Sequence, residues 1–241
     1  RLILGNDVNV SDNVDLMNNG NIELGNFDLN VASGATVNNY DATNYIITNG
    51  NGYLQQEVGA ANVFFPVGNS SYNPATLNNA GITDNLQVRV FDQVFDQGTT
   101  GTPQVTNVVN RTWMVSEELL GGSDVTMTLQ WATADELGFD RANSGIAHHL
   151  TGTTWDYPTY GPAAAAGANW TQTRSGFTSF SPFVVIDASI DLPVELLSFE
   201  AKRLNPDEVQ LDWATATELN NKGFDIERML DNETSFQKIG F

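Results

Sequence analysis

Short apolar runs separated by polar turns set the rhythm of the first 58 residues: Leu2-Ile3-Leu4, Val8 and Val10, Val14 and Leu16, Ile22 and Leu24, Leu29 and Val31, and Tyr45-Ile46-Ile47. Period two dominates, and because successive side chains of a strand point to opposite faces, these runs predict short strands. Asn19-Gly20, Asn49-Gly50 and Asn51-Gly52 are expected to turn the chain through positive φ, which Asn and Gly tolerate. Leu4-Gly5-Asn6-Asp7-Val8-Asn9-Val10 is echoed about twenty residues later by Leu24-Gly25-Asn26-Phe27-Asp28-Leu29-Asn30-Val31. That spacing suits one rung of a β-solenoid, with a plain β-meander as the alternative. An uncapped rung exposes apolar side chains at its end, so the segment that follows is expected to pack on the last rung.

From 59 to 190 the predicted strands lengthen: Leu86–Phe91, Val108–Val115, Val125–Trp131, Ile146–Leu150 and Phe183–Ile186. Their spacing and turn chemistry predict a β-sandwich. Thr133-Ala134-Asp135-Glu136-Leu137 is the one short helix expected, stopped by Gly138, and Gly161 to Gly167 reads as a loop. Beyond Asp191-Leu192-Pro193 the alternation is clean again, with Val209, Leu211 and Trp213 on one face, followed by Phe224-Asp225-Ile226-Glu227-Arg228 and Phe236 to Ile239. Residues 191 to 241 therefore predict a partial immunoglobulin or fibronectin III-like module, with about four of the roughly seven strands such a sandwich needs. The fold class expected for the whole chain is all-β: a solenoid-like segment (1–58), a sandwich (59–190) and the partial module (191–241).

Charge changes this picture by exclusion. With 29 acidic and 10 basic residues in 241, the net charge is −19, which repels phosphate backbones and anionic membranes. Basic residues are unevenly placed: none lies between Arg1 and Arg89, and all three lysines, Lys202, Lys222 and Lys238, follow residue 200. From Leu192 onward 10 acidic residues face 5 basic ones, a net of −5 that leaves −14 for the preceding part, and this shift supports a boundary near Pro193. Cysteine is absent, so disulfides and thiolate chemistry are excluded. No apolar run reaches membrane-spanning length, and the opening Arg1-Leu2-Ile3-Leu4-Gly5 already has a strand pattern, so the chain reads as a processed or trimmed piece of something larger.

A resemblance adds a setting. Leu192-Pro193-Val194-Glu195-Leu196-Leu197-Ser198-Phe199-Glu200-Ala201-Lys202, Val209 through Asn221, and Gly223-Phe224-Asp225-Ile226-Glu227-Arg228 closely resemble a module of large exported proteins of Bacteroidota. In that family the module usually precedes the C-terminal sorting domain of type IX secretion cargo. Phe64-Phe65-Pro66-Val67-Gly68, Val109-Asn110-Arg111-Thr112-Trp113 and Thr178 to Phe183 also look like motifs of these surface proteins. The resemblance implies an extracellular or cell-surface location and says little about activity.

Candidate chemistry is sparse. His148 and His149 are the only histidines, and neighbours on a strand point apart, so they cannot readily chelate one metal. Asp135, Glu136 and Asp140 could supply paired carboxylates, but proximity in sequence does not set the cleft geometry that glycoside hydrolysis requires. Asn6-Asp7 and Asn26 to Asn30 offer oxygen ligands to calcium, yet no EF-hand or Gly-Gly-x-Gly-x-Asp spacing accompanies them, and they read as turns. Among the tryptophans, Trp131 and Trp213 alternate with core-like residues and are expected to be buried, whereas Trp155 and Trp170 flank loops and are the better candidates for a sugar-stacking surface, although burial in the sandwich edge is the favoured reading for both. No catalytic, cofactor or metal site is assigned. The expected function is that of a structural or adhesive surface protein in an adhesin or fibre, not an enzyme, its partners being proteins or copies of itself joined by strand addition, with glycans a further class. The alternative is a non-catalytic spacer or carbohydrate-binding region of a secreted polysaccharide-degrading enzyme.

Overall fold

The computed structural model describes residues 1–17, 20–188, 196–206, 208–215, 223–229 and 235–240, and it is nearly all β, with 55% strand and 3% helix. The chain divides into two compact units, Arg1–Ile190 and Asp191–Phe241.

The first unit begins as a solenoid of about three turns. Its first rung holds β1 (Leu2–Ile3), β2 (Val8–Val10) and β3 (Val14–Asp15), and its second holds β4 (Ile22–Glu23), β5 (Leu29–Val31) and β6 (Val37–Asn38). The third holds β7 (Ile46–Ile47) and β8 (Leu54–Val58), followed by β9 (Val63–Phe65) and β10 (Val67–Gly68). Strands of successive rungs pair in parallel: β1-β4-β7-β10 on one face, β2-β5-β8 on the second and β3-β6 on the third. Leu4, Leu16, Leu24, Leu29, Val37, Ile46 and Leu54 point inward and are buried.

The corners explain why Asn and Asp recur between these runs. A corner frees backbone N–H groups from the ladder, and a short polar side chain from an adjacent rung can accept from them. Asp7 Oδ1 accepts from the Asp28 N–H at 3.0 Å, and Asp28 Oδ1 accepts from that of Tyr53 at 2.8 Å. Asn21, Asn26 and Asn44 make equivalent inter-rung bonds to the N–H groups of Tyr45, Asn51 and Gly20. Of the residues considered as calcium ligands, Asp7, Asn26, Asp28 and Asn30 are thus committed to joining rungs. The turn glycines differ from expectation. Gly50 and Gly52 do not adopt positive φ; they are needed because a Cβ would lie 2.2 Å from the Gly25 carbonyl oxygen and 2.0 Å from that of Phe27. Positive φ falls instead on Gly25, Gly34 and Asn39.

The sandwich grows out of the solenoid. Its strands are β11 (Ala75–Asn79), β12 (Asp84–Asp92), β13 (Val108–Glu117), β14 (Val125–Ala132), β15 (Glu136–Leu137), β16 (Ser144–Thr151), β17 (Thr154–Asp156), β18 (Ala164–Ala166), β19 (Asn169–Phe177) and β20 (Pro182–Asp187). Strand β8 pairs in parallel with β5 on one edge and antiparallel with β12 on the other, so the second solenoid face continues into a nine-stranded sheet, β17-β16-β20-β13-β12-β8-β5-β2 with β15 paired to β13 beside this path. The second sheet runs β18-β19-β14-β11-β9. One apolar core runs from Leu4 to Val185 through both parts, with Trp113, Met127, Leu129, Trp131 and Phe183 at its centre. The cap expected over the last rung is therefore the sandwich itself. Thr48 reinforces the junction: its buried hydroxyl donates to the Val90 carbonyl at 2.7 Å and accepts from the Val90 N–H at 2.9 Å.

Two local expectations are corrected. Thr133–Asp135 forms one turn of 3₁₀ helix and the chain then re-enters a sheet as β15, with Gly138 at φ 53. Ala164–Ala166, expected in a loop, is an edge strand because β19 offers it a pairing partner and Gly167 closes the hairpin at φ 66.

Residues 191–241 contain four described strands: β21 (Leu196–Asn205) pairs with β22 (Glu208–Thr215), and β23 (Ile226–Arg228) pairs with β24 (Gln237–Gly240). Each pair is a two-stranded antiparallel sheet.

Candidate functional site

The acidic trio does not converge. Asp135 is buried, 2.7 Å from Nη2 of Arg111, and its carboxylate also accepts from Asn73 at 2.7 Å and from Ser71. Glu136 accepts from the Trp131 indole at 2.8 Å and pairs with Arg141 at 2.6 Å. Asp140 caps the short turn Arg141–Asn143, and hydrogen bonds from the Asn143 side chain and the Ala142 N–H hold its pKa below the usual carboxylate value. Each acid is occupied by a structural partner of its own.

The histidines also separate. His148 is buried, its ring stacked on Phe183 with centroids 4.5 Å apart, and burial lowers its pKa to about 4. His149 faces the other way, against Trp155 at 5.0 Å, and its Nε2 donates to the Gly152 carbonyl at 2.9 Å. Among the described residues, no group of three or more His, Cys, Asp or Glu side chains is arranged to hold a metal.

The tryptophans depart from expectation at Trp213. Trp131 and Trp155 are buried as expected, the Trp155 indole donating to the Asp96 carbonyl at 2.8 Å. Trp170 lies half-buried under the Arg141 guanidinium, 4.3 Å from the ring centroid. Trp155 and Trp170 therefore form no exposed sugar platform. Trp213, expected to be buried, is 40% exposed.

That exposure belongs to a larger feature of residues 191–241. The β21–β22 register sets Phe199 opposite Trp213, Ala201 opposite Leu211 and Arg203 opposite Val209, which gathers the apolar side chains on one face. Phe199 is 58% exposed and Val209 55%. Trp213 meets Phe224 edge-on at 5.8 Å, and together with Phe199, Ile226, Phe236, Asp225 and Glu227 they line a mainly apolar cleft of about 350 Å³. Full burial stabilises a side chain of this size by roughly 1.5–3 kcal/mol. Most of that gain is unrealised here. Both hairpins also present unpaired strand edges among the described residues, which are templates for a further strand. The alternation at Val209, Leu211 and Trp213 identifies this face in the sequence, whereas its exposure depends on what lies opposite.

Comparison of the chain with protein-family models, curated proteins and solved structures finds no match.

Proposed function

We propose that this chain is a structural and adhesive module of an exported bacterial surface protein, carried within an adhesin or a surface fibre. The observation that carries the reading is the uncovered apolar face of β21–β24, an arrangement suited to completion by β-structure from elsewhere in the parent protein or from a neighbouring subunit. A fibronectin-like sandwich completed in this way would bury Val209, Leu211, Trp213, Phe224 and Ile226 against an opposing sheet. The first unit suits a supporting role, because one core and one continuous sheet tie the solenoid to the sandwich without a hinge between them. The acidic and histidine side chains reinforce this reading, since each is engaged in holding the fold. The resemblance to type IX secretion cargo supplies the cellular setting. Antibodies raised against this chain should label intact cells of the source bacterium as strongly as permeabilised ones. Labelling that appears only after permeabilisation would reject a surface location.

A further inference from the structure

The third face of the solenoid is interrupted. On the other two faces strands stack through the third rung, but among the described residues β6 has only β3 beside it, because β9, the next strand in that position along the chain, pairs with β11 in the sandwich. The divergence of β9 from β6 opens a groove of about 720 Å³, within the ~300–1,000 Å³ range of small-molecule sites. Tyr40, just beyond β6, stacks on Phe64 of β9 with centroids 4.5 Å apart and planes 10° from parallel, so an aromatic pair ties the two walls together.

We propose that this groove, lined by Asp15, Asn38, Asn39, Tyr40, Glu57 and Asn62, binds a neutral oligosaccharide. Its chemistry is that of amides, carboxylates and an aromatic pair, which supply donors, acceptors and a stacking surface for a polyhydroxylated ligand. Several of these groups are held in place before any ligand arrives. Glu57 accepts from the Ser33 hydroxyl at 2.6 Å, and the Asn39 amide, on a backbone at φ 58, donates to Asp15 at 3.3 Å. The Gln56 side chain is buried and fixed to the Phe64 carbonyl at 2.9 Å, which anchors the wall from behind.

Charge selects the ligand class. Among the described residues no lysine or arginine lines the groove, and none occurs in the sequence between Arg1 and Arg89. A phosphate, nucleotide or uronic acid would meet Asp15 and Glu57 without a compensating cation. Lipid is disfavoured because the apolar lining is limited to small aliphatic side chains and the aromatic pair. The inference rests on the adhesive reading only for its biological setting; the groove lies in the first unit and does not depend on what covers β21–β24.

Calorimetric titration of the full chain with xylohexaose, cellohexaose, mannohexaose and chitohexaose tests it, with hexagalacturonate as the anionic probe and pentalysine as the cationic one. At least one neutral hexasaccharide should bind with Kd below about 1 mM. Tyr40→Ala and Asn62→Ala should each weaken that binding by about tenfold or more, a loss of one stacking or hydrogen-bonding contact. Asn62 is exposed, so its variant keeps the test valid if Tyr40→Ala unfolds. The proposal is overturned if no neutral hexasaccharide binds, if hexagalacturonate or pentalysine is preferred, or if binding survives the Asn62 substitution. Loss of surface labelling would leave these outcomes unchanged, so the two readings fail separately.

Discussion

Replacing Asp135 by alanine tests the most highly connected polar node in the first unit. Arg111 leaves β13 with its guanidinium buried and reaches Asp135 at 2.7 Å, Ser71 at 2.8 Å, Asn73 at 3.0 Å and Ser70 at 3.1 Å. Asn73 in turn receives the Trp113 indole N–H on its carbonyl at 2.9 Å. Asp135→Ala removes the anion while the cation stays buried, which costs about 3–5 kcal/mol for pairs of this kind. For a unit of this size each kcal/mol shifts the melting temperature by roughly 2–4 °C, so a fall of about 6–20 °C is expected. Asp92 lies 3.4 Å from Arg111 Nε and is an acid placed to take over, which favours the lower end of that range. Urea unfolding followed by tryptophan fluorescence should show a lower midpoint at unchanged slope. Combining Arg111→Met with Asp135→Leu removes both charges and should recover at least about half of the loss. A cost below about 1 kcal/mol for Asp135→Ala, or a double variant no more stable than the single one, would refute the reasoning.

Three further substitutions probe other links of the argument. Burial depresses the His148 pKa to about 4, so this group stabilises the fold while neutral and the contribution is lost as pH falls from about 6.5 towards 4; the gap corresponds to about 3 kcal/mol. His148→Phe retains a ring against Phe183 and should flatten the dependence of the urea midpoint over that window, and an unchanged dependence would assign it to other groups. Gly52→Ala should destabilise by about 1–3 kcal/mol because its Cβ meets the Phe27 carbonyl of the rung beside it, whereas Gly5→Ala, with open space around it, should change thermal stability little.

The all-β class and most long strands were legible because inward and outward residues alternate, as at Val125, Met127, Leu129 and Trp131. The solenoid was legible from two echoed rungs only. Its later register drifts: Leu2 pairs with Ile22, but Ile22 pairs with Ile46 and Leu29 with Leu54, so a fixed twenty-residue period misses the third rung. Asn169–Phe177 went unrecognised as a strand because it is polar and mostly uncovered on its outer face, leaving little apolar alternation to detect. Ala164–Ala166 was obscured by alanine's weak preference for strands, which the pairing with β19 overrides. Trp213 shows a different limit: alternation reveals which face is apolar and carries no information about whether another layer covers it. The groove was illegible because Asp15, Asn38, Glu57 and Asn62 are brought together only by the stacking of rungs and the departure of β9.

Electron cryo-microscopy of the protein as isolated from its source cells, with whatever it is bound to, tests the central claim most directly. The account predicts β-strands from the rest of the parent chain or from a neighbouring subunit packed over Phe199, Trp213 and Phe236 and paired to an edge of β21–β24. A native assembly in which that face remains open to solvent would contradict it.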